Sequence, residues 1–234
     1  MAEGMFQRIP YLIVYDEESA FKDTYAGQIG KVVVEAMHLK PDVPSDSVVI
    51  FSHPIGGGAW LPLVSNLARM GVHTIYCNTR YRGNDTALIM ERAVMDFGAC
   101  IRHAKEKLGY AKVYLGGWSG GGAQSLFYQA EAQDPRVTHT PAGDPYDLTA
   151  ANFVPADGVV LLAAHLSRNL TLTAWLDASI EDESRPFKRN PKWNLYAPDG
   201  PNRPTPPISW PNTAPARSRG TGGLPPGRRT SWRR

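Results

Sequence analysis

Cysteine is scarce in this chain of 234 residues: only Cys77 and Cys100 are present, too few for a disulfide framework. Each stands in an otherwise apolar segment, where a thiol behaves as a small hydrophobe, so both are expected to be buried. No apolar run approaches the roughly 18 residues that a membrane-spanning helix needs. Met1–Pro10 lacks a basic region followed by a long apolar stretch, so no secretory leader is expected and a cytoplasmic location follows by default. The six histidines show no metal-ligand spacing, and no metal or cofactor is expected. Acidic residues and lysine are missing from residues 201–234, which carry seven arginines. The formal net charge is +3, so residues 1–200 carry −4. The body of the chain is therefore not expected to bind nucleic acid.

Apolar residues make up 42% of the sequence, enough for one sizeable core at this length. Tyr11 to Tyr15 and Lys31 to Met37 are short β-branched and aromatic runs that suit two antiparallel strands at a sheet edge. Ser47 to Ser52, Val72 to Cys77, Lys112 to Leu115 and Gly158 to Ala164 read as buried strands of a parallel sheet. Between them lie helical patterns. Leu63, Leu67 and Met70 fall on one face of the first, which Gly71 stops, and Val94, Phe97, Ile101, Ala104 and Leu108 form the stripe of the second, over Met90 to Leu108. A third helix is expected over Gly120 to Ala132. This alternation predicts an α/β fold, a mostly parallel sheet with helices on both faces.

Two glycine-rich turns carry the chemistry. Gly117-Trp118-Ser119-Gly120-Gly121 lies between a strand and a helix, where a tight turn exposes a serine hydroxyl and small neighbours permit the backbone strain. At the helix start the N–H of Gly120 and the positive end of the helix dipole point to where an oxyanion would form. His53-Pro54-Ile55-Gly56-Gly57-Gly58 also follows a buried strand and precedes a helix. A phosphate-cradling reading of these glycines lacks the Gly-Lys-Ser/Thr ending.

The order of strand, His-Pro-x-Gly-Gly-Gly, helix, strand, Asn78-Thr79-Arg80-Tyr81-Arg82-Gly83, helix, strand, Gly-x-Ser-x-Gly resembles the α/β-hydrolase family over residues 45 to 170. The resemblance implies a serine hydrolase that attacks an ester, thioester or amide carbonyl of a small acyl substrate. Ser119 is its nucleophile on a nucleophile elbow, and the amides of Gly120 and Ile55 form the oxyanion hole, with Gly56 as the alternative to Ile55. Arg82 is expected to brace its loop. The family places an acid and then a histidine late in the chain, whereas only His139 and His165 follow Ser119. His139 reads as a solvated loop residue. His165, after the sixth strand, is a candidate base, or a histidine hydrogen-bonded beneath a lid.

Residues 1–168 are expected to form the hydrolase core and 169–200 a partial lid with Trp175, Phe187, Trp193 and Tyr196, including a weak helical stretch at 172–180. Residues 201–234, with eight prolines and four glycines beside the arginines, lack the apolar content to offset ordering and are expected to be disordered. Their composition resembles another reading frame, as if a frameshift near residue 203 had replaced the last strands with the acid and base. Two other readings stay open: a catalytically idle hydrolase-like interaction protein, and polyanion binding by the basic tail.

Overall fold

The computed structural model describes residues 5–17, 30–58, 61–83 and 88–165, and beyond them 167, 171, 177–182, 184–185, 187–194 and 197. The chain divides into two units, residues 1–166 and 167–234. In the first, the elements run β1 (Phe6–Asp16), β2 (Lys31–Pro41), β3 (Ser47–Ser52), α1 (Pro62–Arg69), β4 (Thr74–Cys77), α2 (Met90–Glu106), β5 (Lys112–Ser119), α3 (Gly120–Gln133) and β6 (Gly158–Ala164). The sheet order is β1-β2-β4-β3-β5-β6. β1 pairs antiparallel with β2, and β2 with β4. The pairs β3–β4, β3–β5 and β5–β6 are parallel.

Alternation along the strands divides the core between two faces. Val48 and Ile50 of β3, Ile75 and Cys77 of β4 and Leu115 of β5 pack with Val94, Phe97, Ile101 and Ala104 of α2 and Tyr128 of α3. Phe51 and Tyr76 point the other way and pack with Leu39 of β2 and Val64 and Ala68 of α1. Helices thus cover both faces, as the alternating pattern predicts, and both cysteines are buried.

Two helical stripes differ from expectation. Val64, Ser65 and Ala68 form the buried face of α1, while Leu63 and Leu67 are only partly buried and Met70, at the C-cap, is 73% exposed. The eight-residue α1 is short enough that the aromatic floor of Phe51 and Tyr76 decides its rotation. Leu108 is exposed because α2 ends at Glu106 and Gly109 turns the chain away with φ +78°.

In the second unit, Ile180 bridges Arg189 antiparallel. Only 177–180 of the expected helix at 172–180 are described; they form a turn in which Asp177 Oδ1 accepts from the backbone N–H and hydroxyl of Ser179. Of the expected lid aromatics, Phe187 is exposed, Lys192 Nζ stands 5.0 Å from the Trp193 ring centroid, and Trp175 and Tyr196 lie outside the described residues. Residues 201–234 lie wholly outside them, and so do the expectations for that tail.

Parallel pairing fixes the geometry that matters for function. Ser52↔Cys77 and Ser52↔Gly117 end their ladders in register, and Ser119 stands opposite Ala164. The turns after β3, β4, β5 and β6 therefore gather at one sheet edge, the carboxyl edge where open α/β sheets bind ligands.

Candidate active site

Ser119 ends β5 and caps α3 with φ 53° and ψ −128°, one of three non-glycine residues with positive φ among the described residues. Such a backbone costs about 1–3 kcal/mol and persists only where its surroundings hold it. Close packing supplies that hold. A Cβ on Gly121 would stand 2.1 Å from the Ser52 carbonyl oxygen, one on Gly122 would stand 2.4 Å from Ala164 Cβ, and one on Gly117 would stand 2.7 Å from Gly122 Cα. The start of α3 thus sits directly on the ends of β3, β5 and β6, and Ser119 is left half-buried. Gly120 is the first helical residue, where an N–H has no partner within the helix.

The loop at 53–58 lies beside this turn. His53 Nε2 stands 3.0 Å from where a Cβ on Gly120 would be, and the His53 and Trp118 ring centroids are 6.0 Å apart. The two glycine clusters read from the sequence are therefore neighbours. Gly56 donates its N–H to the His53 carbonyl at 2.8 Å, closing a turn. Ile55 N–H meets His53 Nδ1 only at 3.4 Å, beyond the usual range of an N–H donor. Of the two amides considered from the sequence, that of Ile55 is the more weakly engaged.

The turn after β4 holds this loop. Thr79 Oγ1 donates to the Pro54 carbonyl at 2.5 Å, Gly83 N–H to the Ile55 carbonyl at 2.9 Å, and Asn78 Oδ1 accepts from Gly57 N–H at 3.0 Å. Arg82 pairs with Glu35, so it braces its turn from β2. The buried ion pairs belong instead to Arg80, whose guanidinium meets Asp96 of α2 at 2.9 Å and Glu17 at 2.5 Å and donates to Tyr15 Oη at 2.6 Å. Burial, and then the Asp96 charge, push the Tyr15 phenol above its ordinary range. Sequence reading placed Asn78 and Arg80 in a family-like turn without assigning them a role, and it missed Glu35 and Asp96; the available signal was a carboxylate at 96 beside the apolar stripe of α2.

His165 meets Ser119 through the backbone, its N–H donating to the Ser119 carbonyl at 2.8 Å. His139 is exposed on a bridge to Pro145. His38 and His73 hydrogen-bond to Tyr110 instead, and His73 and Tyr110 precede β4 and β5, at the ends of those strands away from this edge. Among the described residues no group of three or more His, Cys, Asp or Glu could hold a metal ion, and no helix is long and apolar enough to cross a membrane.

The strand order and the serine on its strand-to-helix turn define an α/β-hydrolase-like fold through the sixth strand. No family model and no curated protein matches the chain. Solved structures of similar course include acetyl xylan esterase 1 from a Thermoanaerobacterium species, 16% identical with a TM-score of 0.34 over 50% of this chain and 48% of that one. An alpha-beta serine hydrolase homologue from Coxiella burnetii is 18% identical, with a TM-score of 0.36 over 55% and 68%. A candidate carboxylesterase from Lactobacillus plantarum is 16% identical, with a TM-score of 0.48 over 93% and 86%. The chain spans about half the length of the first of these. At such identities these likenesses transfer no chemistry.

Proposed function

We propose that this chain is a serine hydrolase that forms an acyl-enzyme on Ser119 from a small ester, thioester or amide substrate. The observation that carries the reading is the strained backbone of Ser119, a non-glycine residue at φ 53° on a strand-to-helix junction lined by Gly117, Gly121 and Gly122, where an added Cβ would clash with its neighbours. Strain of this kind clusters at functional sites, and a nucleophile elbow presents its hydroxyl this way. In this reading Ser119 Oγ attacks the carbonyl carbon, and the amides of Gly120 and Ile55 stabilise the oxyanion. Departure of the leaving group gives the acyl-enzyme, which water hydrolyses. His165, whose backbone is held beside that of Ser119, is the candidate whose imidazole would take the serine proton. No cofactor enters the scheme.

The test is labelling of the full chain by a fluorophosphonate probe beside Ser119→Ala and His165→Ala, with circular dichroism confirming that all three are folded. Labelling is expected in the wild type, absent in Ser119→Ala and strongly slowed in His165→Ala. A folded but unlabelled wild type would replace this reading with that of a hydrolase-like fold without chemistry.

A further inference from the structure

Resting on the reading above, we propose that Asn78 is a positioning residue that sets the conformation of the 53–58 loop, and that Glu35 sets Asn78. Asn78 follows the last residue of β4, is nearly buried, and its backbone N–H donates to the Glu35 carbonyl of β2 at 2.9 Å. Its side chain is a two-ended clamp. The Gly57 N–H can only donate, so the atom facing it at 3.0 Å is the amide oxygen. The Glu35 carboxylate can only accept, so the atom facing it at 3.3 Å is the amide nitrogen. Chemistry at both ends thus selects the same orientation of the amide.

The clamp acts at the point where the loop is least able to hold itself. Gly56 and Gly57 have φ of +68° and +85°, a left-handed pair that glycine adopts without a steric preference against other conformers. A Cβ on Gly56 would stand 3.1 Å from Asn78 Oδ1 and 3.1 Å from Arg82 Cβ, so the loop backbone rests directly on the β4 turn. Arg82 pairs with the other end of the chain of contacts, at Glu35. Gly57, Asn78, Glu35 and Arg82 therefore form one continuous path from the loop to β2. Asn78 touches no reacting atom in the proposed reaction; it acts by orienting the Ile55 and Gly56 amides that precede Gly57.

Three variants test this in the full chain: Asn78→Ala, Asn78→Asp, and Asn78→Asp combined with Glu35→Gln. Asn78→Asp keeps an acceptor for Gly57 but turns a second carboxyl toward Glu35, whose Oε2 already pairs with Arg82; protonated, the new carboxyl can still donate to Glu35, and once ionised it cannot. The added glutamine amide can donate to the new carboxylate and restores the clamp. Hydrogen exchange of the peptide covering 54–58 is expected to quicken about 10-fold or more in Asn78→Ala. In Asn78→Asp it should quicken progressively as pH rises through the carboxylate range, after correction for intrinsic exchange, and it should return toward wild type in the double variant. Fluorophosphonate labelling should follow the same order, falling about 100-fold in Asn78→Ala as amides are misplaced. Loop exchange unchanged in Asn78→Asp, or not rescued by Glu35→Gln, overturns the proposal, including where Asn78→Ala fails to fold. If exchange follows the expected order while the wild type takes no label, the loop assignment stands and the serine hydrolase reading falls.

Discussion

Glycines in this chain do two different jobs, and substitution separates them. Gly71 takes φ +88° after α1 with nothing within 4 Å of a Cβ, so Gly71→Ala carries only backbone strain, about 1 kcal/mol. Gly121 has ordinary helical backbone, yet its Cβ would lie 2.1 Å from a main-chain oxygen of β3. No rotamer change relieves that clash; the helix start or the strand end must move. Gly121→Ala is expected to cost about 3 kcal/mol or more and to slow probe labelling of Ser119, whereas Gly71→Ala leaves labelling unchanged. Urea unfolding of both variants beside the wild type checks the ranking, and equal losses would contradict it. The serine motif was legible in the sequence because turn chemistry is local. Which amide of the His53–Gly58 loop stays weakly engaged was not, because it depends on Gly56 N–H closing a turn and on Asn78, 21 residues from Gly57, meeting the next amide.

Elements here are joined by polar contacts as well as by apolar faces. Arg80 ties the β4 turn to α2 and to the end of β1: Asp96 accepts from its backbone N–H at 2.8 Å and from its guanidinium, while Glu17 also accepts from Tyr146 Oη. Asp96 is fully buried and the Arg80 side chain is 18% exposed. Removing one member of a buried pair costs up to about 3–5 kcal/mol; without Asp96 the Arg80 guanidinium keeps Glu17 but loses its buried partner on α2, and the Arg80 N–H and Tyr15 Oη lose their acceptor. Asp96→Ala should therefore be among the most destabilising single changes, and Asp96→Asn, which keeps an acceptor while removing the charge, should cost less. Chemical denaturation resolves the two; similar midpoints for Asp96→Ala and wild type would show that the pair adds little. The bounds of strands β3 and β6 were legible to the residue, since short apolar runs bounded by turns leave little choice, but burial was legible only for β3: β6, expected to be buried, is the edge strand of the described sheet, with Val160 and Leu161 exposed. The rotation of α1 was not, because Leu63 and Leu67 compete with Val64 and Ala68 on an eight-residue helix and only the sheet beneath decides between them.

At the scale of the molecule, the alternating pattern of strand and helix made the parallel sheet legible, but the antiparallel pairing of β2 with β4 is set by chain course, which no local pattern encodes. One consequence of that pairing lies at the opposite sheet edge from Ser119. His38 of β2, His73 before β4 and Tyr110 before β5 are all buried. Tyr110 Oη lies 2.5 Å from His73 Nδ1 and 2.8 Å from His38 Nε2, and His73 Nε2 lies 2.7 Å from the Val43 carbonyl. A carbonyl only accepts, so His73 Nε2 carries its hydrogen; Tyr110 then donates to His73 Nδ1 and accepts from His38 Nε2. Burial, followed by His73 and Lys40, lowers the His38 pKa to about 4, and burial holds Tyr110 up at about 12. In the unfolded chain a histidine titrates near 6.5. Between these values the unfolded state binds a proton that the folded state refuses, so stability is full above pH 6.5 and falls as the pH drops toward 4. The loss from this one group is at most about 3 kcal/mol. His38→Gln keeps a donor toward Tyr110 and does not titrate, so the free-energy difference between wild type and this variant should shift steadily in the variant's favour from pH 6.5 down to 4, with groups common to both cancelling. Unfolding free energies measured in urea across that range give the difference directly, and a difference independent of pH would mean that His38 is protonated as readily in the folded protein as in the unfolded chain.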